Sequence, residues 1–194
     1  MENKFNSAIR LFDEANSKDP NRENNNGKNF PKELLYSIRM SEKLSIFNPV
    51  ASEATQLAAR CQHICRWEIP RDSYEMNRNG YLKWRRDLTI FHAEKASGIL
   101  RRVGYDEDII ERVASLLQKK QLKRDQEMQD LEDVICLVFL ESYFENFSKK
   151  YTEDKLVDIL KKTWAKMSDK GHEHALRLNL SENSKMLISK VLEQ

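Results

Sequence analysis

The chain has 194 residues, enough for one domain with a sizeable core, and its residues are 40% hydrophobic and 33% charged, as in soluble helical proteins. Five Gly and four Pro supply too little turn chemistry for a sheet of many short strands. The net charge of +2 argues against a bulk nucleic-acid or membrane binder, although it permits a local basic patch.

The first third of the chain predicts three helices. Apolar residues at helical spacing between 3 and 16 predict a short amphipathic helix, and the stretch "NSKDPNRENNNGKNFP" that follows predicts a loop. Pro31 starts a second helix, "PKELLYSIRMSEKLSIF". A third helix follows Asn48-Pro49 and runs to about Trp67.

The middle of the chain begins with a polar irregular segment at 68–80 and then returns to a helical pattern. A break near Asp87 interrupts that pattern, and Gly104 ends it as a C-cap glycine would. Asp106 is the predicted N-cap of the next helix, "EDIIERVASLLQKK". The stretch "MQDLEDVICLVFLESYFENF" is apolar nearly all round, which predicts the central, most buried helix.

The last part of the chain predicts two more helices. Thr152 opens one that Gly171 closes, and Ser181 opens the other. We therefore predict an all-α fold of about eight helices in one globular domain. It consists of an N-terminal helix and Asn-rich loop at 1–30, a core at 31–150 and C-terminal helices at 151–194.

Cysteine usage and the N-terminus predict a cytoplasmic protein. Cys61, Cys65 and Cys136 are an odd number and lie in apolar helical patterns, so we expect reduced core residues. No apolar run reaches the roughly 18 residues that span a bilayer, which predicts no membrane partner. The start, "MENKFNSAIRLF", has no signal-peptide core. The oligomeric state is not indicated.

Two histidines are candidates for chemistry. On the third predicted helix, His63 shares a face with Gln56, Arg60 and Trp67, which suits a cleft but also suits a solvated helix flank. His92 lies on an apolar stripe, where a hydrogen-bonded core residue is more common than a metal ligand. The other two, His172 and His174, are predicted to be exposed in a loop.

Two acids and a lysine are also predicted to approach the interior. Glu132 and Asp133 stand one turn ahead of the apolar segment, so the one that faces inward needs a cation, a metal or strong donors. A common alternative is an acid favoured by the helix dipole. Lys120 continues an apolar stripe, and it either extends outward or meets an acid or a phosphate.

A basic and aromatic segment lies between the two histidine-bearing helices. Guanidinium groups suit phosphate oxygens and aromatic rings can stack a base, which predicts a ligand pocket. A solvated, ion-paired lid is the alternative. The candidate ligand-binding residues are Arg60, Arg66, Trp67, Arg71, Arg78, Trp84 and Arg85.

Four phrases carry a resemblance to a known family: "AARCQHICRWEIPRDSYEMNRNGYLKWRRDL", "FHAEKASGIL", "LEDVICLVFLE" and "ILKKTWAKMS". They resemble the uncharacterised family known as domain of unknown function 4202 over nearly the whole chain. A more distant resemblance is to the HD-domain metal phosphohydrolases, in which a His-Asp pair ends a core helix. It implies an HD-domain-like core at 31–150.

The HD-domain resemblance implies a degenerate metal site. "QHI" matches the His-Asp position with Ile64 in place of the Asp, and the third-His helix is matched at His92. The fourth His position falls near Lys120, and the late acid falls at Asp133, or at Glu132 in another register. The implied catalytic set is His63, His92, Lys120 and Asp133, and the implied metal ligands are His63, His92 and Asp133. A divalent metal (Mn, Fe, Co, Ni, Zn or Mg) and no cofactor at all both stay open.

Three functions follow as alternatives. The first is a metal-dependent phosphohydrolase that acts on a nucleotide or small phosphate compound, with an incomplete HD-type site. The second is a catalytically degenerate module that binds a nucleotide, an RNA end or a phosphorylated ligand through an Arg/Lys/Trp pocket. The third is a structural or partner-binding helical protein with a satisfied buried polar network.

Overall fold

The predicted all-α class is confirmed. The computed structural model describes residues 3–120 and 122–192, and ten α-helices lie within them rather than about eight. They are α1 (Lys4–Asn16), α2 (Lys32–Phe47), α3 (Glu53–Cys61), α4 (Arg78–Val103), α5 (Glu107–Leu117), α6 (Gln126–Val138), α7 (Phe144–Ser148), α8 (Glu153–Trp164), α9 (Asp169–Leu176) and α10 (Glu182–Leu192). None of these helices is long and apolar enough to cross a membrane.

The central position of α6 is confirmed. Every residue from Met128 to Val138 is buried except Ile135, which is partly buried. Helices α2, α3, α5 and α9 contact α6, and α4 packs along α5. The three cysteines are free and buried, as expected of reduced core residues. Burial of this apolar surface is the main source of stability for a chain of this kind.

The predicted Asn-rich loop contains a β-hairpin, so the loop prediction was wrong there. Strands β1 (Arg22–Asn25) and β2 (Lys28–Pro31) pair antiparallel across a two-residue turn. The turn residues Asn26 and Gly27 have φ angles of 51° and 79°. Positive φ at both positions is what a type I′ hairpin turn requires, and Asn-Gly is its preferred sequence.

Helix α3 ends at Cys61, six residues earlier than predicted. After a turn, Cys65 takes a left-handed conformation with φ of 53°, and its backbone N–H donates to Oδ1 of the fully buried Asn16 at 2.9 Å. The helix ends because this hydrogen bond, from a residue 49 positions earlier, fixes the turn. His63 therefore lies in the turn rather than on a helix face.

Helix α4 is continuous through Asp87, where a break was predicted. It starts at Arg78, inside the segment predicted to be irregular, and Asn77 caps it by accepting from the Gly80 N–H at 2.8 Å. The predicted C-cap is confirmed, since Gly104 is left-handed with φ of 87°.

The predicted helix from Thr152 to Gly171 is two helices, α8 and α9. Ser168 caps α9 by accepting from the Gly171 N–H at 3.0 Å, so Gly171 lies inside α9 and does not end a helix. Its role is steric, because a Cβ at this position would lie 2.7 Å from Cγ of Asp133. This close packing requires a residue without a side chain.

His172 and His174 lie on α9 and are partly buried, so the prediction of an exposed loop was wrong. The His172 ring stacks on Trp164 with centroids 4.2 Å apart, and its Nε2 donates to the Trp164 carbonyl at 2.9 Å. His174 meets Phe47 edge to face at 4.9 Å. Both histidines pack α9 against its neighbours.

Candidate functional site

A cavity of about 400 Å³ opens beside His63, and we call it the basic cavity. Its walls come from α2, the turn after α3, α4, the turn after α5, and the region from α6 to the end of α8. Five cationic and two acidic side chains line it: Lys32, Arg66, Arg85, Lys119, Lys166, Glu33 and Glu132. The volume is in the range of small-molecule sites, and the charge excess favours an anion.

His63 is held in one tautomer. Arg66 Nη1 donates to His63 Nε2 at 2.9 Å, because a guanidinium can only donate. The ring proton is then on Nδ1, which lies 3.3 Å from Oε2 of Glu33. Burial lowers the pKa of His63 well below 6.5, and the nearby cations Arg66 and Arg85 lower it further. His63 is therefore a neutral, oriented imidazole at neutral pH.

Tyr36 covers the other side of this histidine. Its ring stacks on His63 with centroids 4.2 Å apart and planes 14° from parallel. Its hydroxyl donates to Gln62 Oε1 at 3.3 Å, and burial raises the pKa of the phenol. The next ring, Tyr143, lies 6.0 Å from Tyr36 and receives a hydrogen bond from Arg39 at 2.9 Å. The wall at His63 is therefore preorganised.

A buried ion cluster forms the opposite wall. Glu132 is 2% exposed, its Oε2 lies 2.6 Å from Lys119 Nζ, and its Oε1 lies 3.5 Å from Lys166 Nζ. Burial alone would raise the pKa of Glu132, but the attraction of these two lysines holds it below its usual value. One carboxylate thus balances two ammonium groups, and a positive charge remains at this wall.

Two cations that line the cavity are not tied to a carboxylate by a direct contact among the described residues. In the parts of the chain that the structure describes, Arg85 and Lys32 make no side-chain hydrogen bond or ion pair. Arg85 is partly buried on α4, and Lys32 is exposed at the start of α2. A guanidinium in a cavity without a carboxylate partner retains its full donor capacity for a ligand.

An apolar wall completes the basic cavity. Ile135 and Phe139 from the α6 region line it together with Tyr143 and Phe147. Residues Phe139–Tyr143 form one π-helical turn that continues α6 and leads into α7. Single π-helical turns occur often at functional sites, because they change which side chains face inward.

Three of the residues predicted to bind a ligand or a metal meet in the cavity: His63, Arg66 and Arg85. Trp84, another predicted ligand-binding residue, does not line the cavity but packs against Arg66. It is 8% exposed, its Nε1 donates to the Ile69 carbonyl at 2.9 Å, and the Arg66 guanidinium lies 4.9 Å above its ring. This cation–π contact orients Arg66 while its face toward His63 stays available.

Four other predicted residues do not reach the cavity. Arg60 forms a two-point ion pair with Asp13 at 2.8 and 2.6 Å. Trp67 lines a separate cavity of about 850 Å³ between α1 and α4. Arg71 donates to backbone carbonyls of the loop that follows it, and Arg78 is exposed at the start of α4.

Lys120 is exposed and does not line the basic cavity, whereas its neighbour Lys119 does. Helix α5 ends at Leu117, and Lys119 adopts a left-handed φ of 55°. This conformation interrupts the helical stripe on which the prediction for Lys120 was based.

The predicted metal ligands do not form one site. His92 is 4% exposed, its Nδ1 donates to the Ile64 carbonyl at 2.8 Å, and its ring lies 5.9 Å from that of His63. Nε2 of His92 is buried and finds no hydrogen-bond partner among the residues that the structure describes, and burial lowers the pKa of His92 to about 3.

Asp133, the third predicted ligand, is directed toward α9. Its carboxylate accepts from the N–H and Oγ of Ser168 at 2.8 and 2.6 Å. Within residues 3–120 and 122–192, no three His, Cys, Asp or Glu side chains are grouped so that they could hold a metal. These residues do not fit the metal set that the HD-domain resemblance implies.

Sequence reasoning missed most of the cavity lining. Lys32, Tyr36, Tyr143 and Lys166 were not selected, and Glu33 was not considered. Each lies on an amphipathic helix or at its end, where such residues are ordinarily solvated. The only signal in the sequence is the number of aromatic residues near the end of the central helix.

Comparisons with known proteins place the chain in a family. A family model described as a domain of unknown function (DUF4202) matches residues 6–188, so the chain belongs to that family, as its sequence phrases indicated. No curated protein and no solved structure matches the chain. The HD-domain resemblance stays a prediction.

Proposed function

We propose that this member of the DUF4202 family binds a small phosphorylated molecule in the basic cavity. The observation that carries the proposal is the Arg85 guanidinium, which lines the cavity without a carboxylate partner among the described residues. Planar guanidinium donors match phosphate oxygens, and a buried phosphate needs such partners.

The charge balance of the cavity supports a dianion. Five Lys or Arg side chains face two carboxylates, and His63 is neutral, so the formal charge of the lining is +3 when every lysine is protonated. Desolvated cations in a concave site raise the local concentration of anions. A phosphate monoester, which carries nearly two charges at pH 7, would neutralise most of this excess.

The shape supports a small ligand rather than a polymer. A volume of about 400 Å³ is at the lower end of the range for sites that enclose drug-sized molecules. The apolar wall at Phe139 and Tyr143 leaves room for a non-polar part beside the phosphate. A nucleotide meets this description. An RNA end would place only its terminal phosphate and base inside.

The proposal is tested by comparing substitutions of two adjacent arginines on α4. Arg85 lines the cavity, whereas Arg86 is exposed and lies 3.3 Å from Asp87. Thermal unfolding is followed at constant ionic strength with inorganic phosphate, a nucleoside monophosphate or a 5′-phosphorylated RNA trinucleotide. Wild type and Arg86→Gln should gain stability as ligand is added, by about 2.7 kcal/mol at one hundred times the dissociation constant.

Arg85→Gln should lose most of this gain. Removing one charge-assisted hydrogen bond should weaken binding about tenfold or more. Equal responses of the two variants would refute the proposal. A response to the RNA alone would favour the RNA-end alternative.

Phosphohydrolase activity is tested in the same experiment. Release of inorganic phosphate from the monophosphate in the presence of Mn²⁺, Mg²⁺ or Zn²⁺, lost in His63→Ala, would favour the enzyme. Binding without release, with or without metal, would favour the binding module.

A further inference from the structure

We propose that Lys119 is a reactive amine of the basic cavity and that its ligand is a small phosphorylated aldehyde or ketone, with which Lys119 forms an imine. The inference rests on the proposed phosphate site and names the class of molecule that the site accepts. It does not use the predicted metal site.

The backbone directs Lys119 into the cavity. Helix α5 ends at Leu117, and Lys119 has a left-handed φ of 55°, which a residue with a long side chain adopts rarely. Such a conformation is unfavourable for a residue with a side chain and persists only where its surroundings impose it. Its result is that the Lys119 side chain is 20% exposed inside the cavity, whereas Lys120 is exposed outside.

The surroundings of the amine suit a nucleophile. Burial lowers the pKa of Lys119 against the attraction of Glu132, and the nearby cations Arg85 and Lys166 lower it further. Burial together with neighbouring cations is the usual way in which an imine-forming lysine is kept partly unprotonated.

Glu132 is in position to move the proton. Its Oε2 lies 2.6 Å from Lys119 Nζ, within direct transfer distance. Its other oxygen lies 3.5 Å from Lys166, which keeps the carboxylate ionised before the transfer and also makes it a weaker base. The carboxylate is 2% exposed, so little water reaches the oxygen that receives this proton.

The reaction needs no other co-reactant. Glu132 takes a proton from the Lys119 ammonium, and the free amine attacks the carbonyl carbon to form a carbinolamine. The carbinolamine hydroxyl leaves as water with the proton that Glu132 returns, and a C=N bond replaces the C=O bond. One ammonium and one carbonyl compound thus yield one protonated imine and one water.

The rest of the cavity binds the two ends of such a molecule. Arg85 and Arg66 would receive the phosphate, and the apolar wall at Ile135 and Phe139 would shield the imine from bulk water. Lys166 would remain as the cation that pairs with Glu132 once Lys119 is consumed.

The experiment is reductive trapping on the full chain. The protein is mixed with pyridoxal 5′-phosphate, a phosphorylated aldehyde, reduced with borohydride, digested and mapped by mass spectrometry. Pyridoxal without the phosphate is the matched reagent, inorganic phosphate is the competitor, and the exposed Lys120 is the internal reference. Because burial lowers the pKa of Lys119, a larger fraction of its amine is unprotonated at neutral pH, so Lys119 should carry more label than the exposed Lys120.

The expected result is label on Lys119 that requires the phosphate of the reagent, is prevented by inorganic phosphate and disappears in Lys119→Arg. Lys120→Arg should change nothing. Phosphate-protected label on other lysines, with Lys119 unlabelled, would overturn the inference and leave the phosphate site standing. Lys119 labelled equally by both aldehydes, without protection by phosphate, would retain the reactive amine but overturn the substrate class and the proposed phosphate site.

Discussion

Two neighbouring residues of α6, Glu132 and Asp133, end in different surroundings although their sequence contexts are nearly the same. Both are buried, with 2% and 0% exposure. Asp133 accepts hydrogen bonds from neutral donors at the junction with α9, chiefly the N–H and Oγ of Ser168. Glu132 faces the basic cavity and is paired with ammonium groups that are themselves partly exposed.

The difference separates a structural carboxylate from one that is available for chemistry. The donors to Asp133 are neutral groups fixed in the protein, and Asp133 does not line the basic cavity. Its contribution is therefore to hold α9 against α6. The partners of Glu132 are ionisable and line a cavity that can take another anion. We therefore expect the interactions of Glu132 to change when a ligand enters the cavity, and those of Asp133 to change when the chain unfolds.

The largest expected effect is that of Asp133→Ala. Removing this carboxylate leaves the Ser168 donors unpaired in a buried place and opens a small void, which should lower the free energy of unfolding by about 3 kcal/mol. Urea unfolding measures the loss. Phosphate stabilisation should persist in the folded fraction. If Asp133→Asn kept the stability but lost the phosphate response, the structural assignment of Asp133 would be wrong.

A second change tests the same junction from α9. In Gly171→Ala the new methyl group would lie 2.7 Å from Asp133 Cγ, so the two helices must separate, at an expected cost of about 2 kcal/mol. The matched control is Gly98→Ala on α4, where a Cβ meets nothing within 4 Å. It should be stabilising by about 0.5 kcal/mol, because Ala favours the helix. Thermal unfolding is measured for both variants, and an equal change in their unfolding temperatures would contradict this steric role of Gly171.

The two histidines extend the comparison to pH. The pKa of His92 is about 3 in the folded chain, against an ordinary value of 6.5. Between about pH 3 and pH 6.5 the unfolded chain therefore binds more protons than the folded chain. The free energy of unfolding that depends on neutral His92 is present above this range and is lost as the pH decreases through it. The loss due to His92 should be about 2 kcal/mol between about pH 7.5 and about pH 5.

His92→Gln should remove that part of the pH dependence in urea unfolding, because Gln does not titrate. His63 contributes in the same direction, since its pKa is also lowered. The partly buried His174 provides the control, and His174→Gln should leave most of the loss in place. An unchanged loss in His92→Gln would show that burial of His92 is not coupled to stability.

The smallest expected change in the free energy of unfolding is that of Glu132→Gln. It leaves Lys119 and Lys166 without their carboxylate, which should cost about 1 kcal/mol, because both ammonium groups retain access to water through the cavity. The same change adds a positive charge to the lining, so phosphate should bind more tightly, about threefold to tenfold. Calorimetric titration with phosphate would contradict the comparison if affinity decreased.

The periodic features of the sequence predicted the helices well. The apolar stripes of α2, α5 and α6 and the glycine at 104 are local signals, and each produced the expected element. The failures have non-local causes. The end of α3 depends on a hydrogen bond from Cys65 to Asn16. Gly171 does not end a helix; it is required because a side chain there would collide with Asp133, 38 positions earlier in the sequence.

The candidate site was predicted only in part for the same reason. His63, Arg66 and Arg85 were selected because they lie in one basic stretch of sequence. Lys119 was missed by one residue, since a single left-handed conformation redirects the chain after α5. Side-chain periodicity carries no information about such a conformation, because tertiary contacts impose it.

The π-helical turn at Phe139–Tyr143 determines how the apolar wall responds to a change in chain length. A turn of this kind amounts to one additional residue accommodated within a helix, and one residue corresponds to about 100° of rotation about the helix axis. Deleting one residue from this turn would therefore restore a regular α-helix and leave α7, with Phe147, near its present orientation, whereas deleting a residue from the regular part of α6 would rotate α7 by that angle. The π-helical turn is thus the place in this segment where a change of chain length is expected to disturb the apolar wall least.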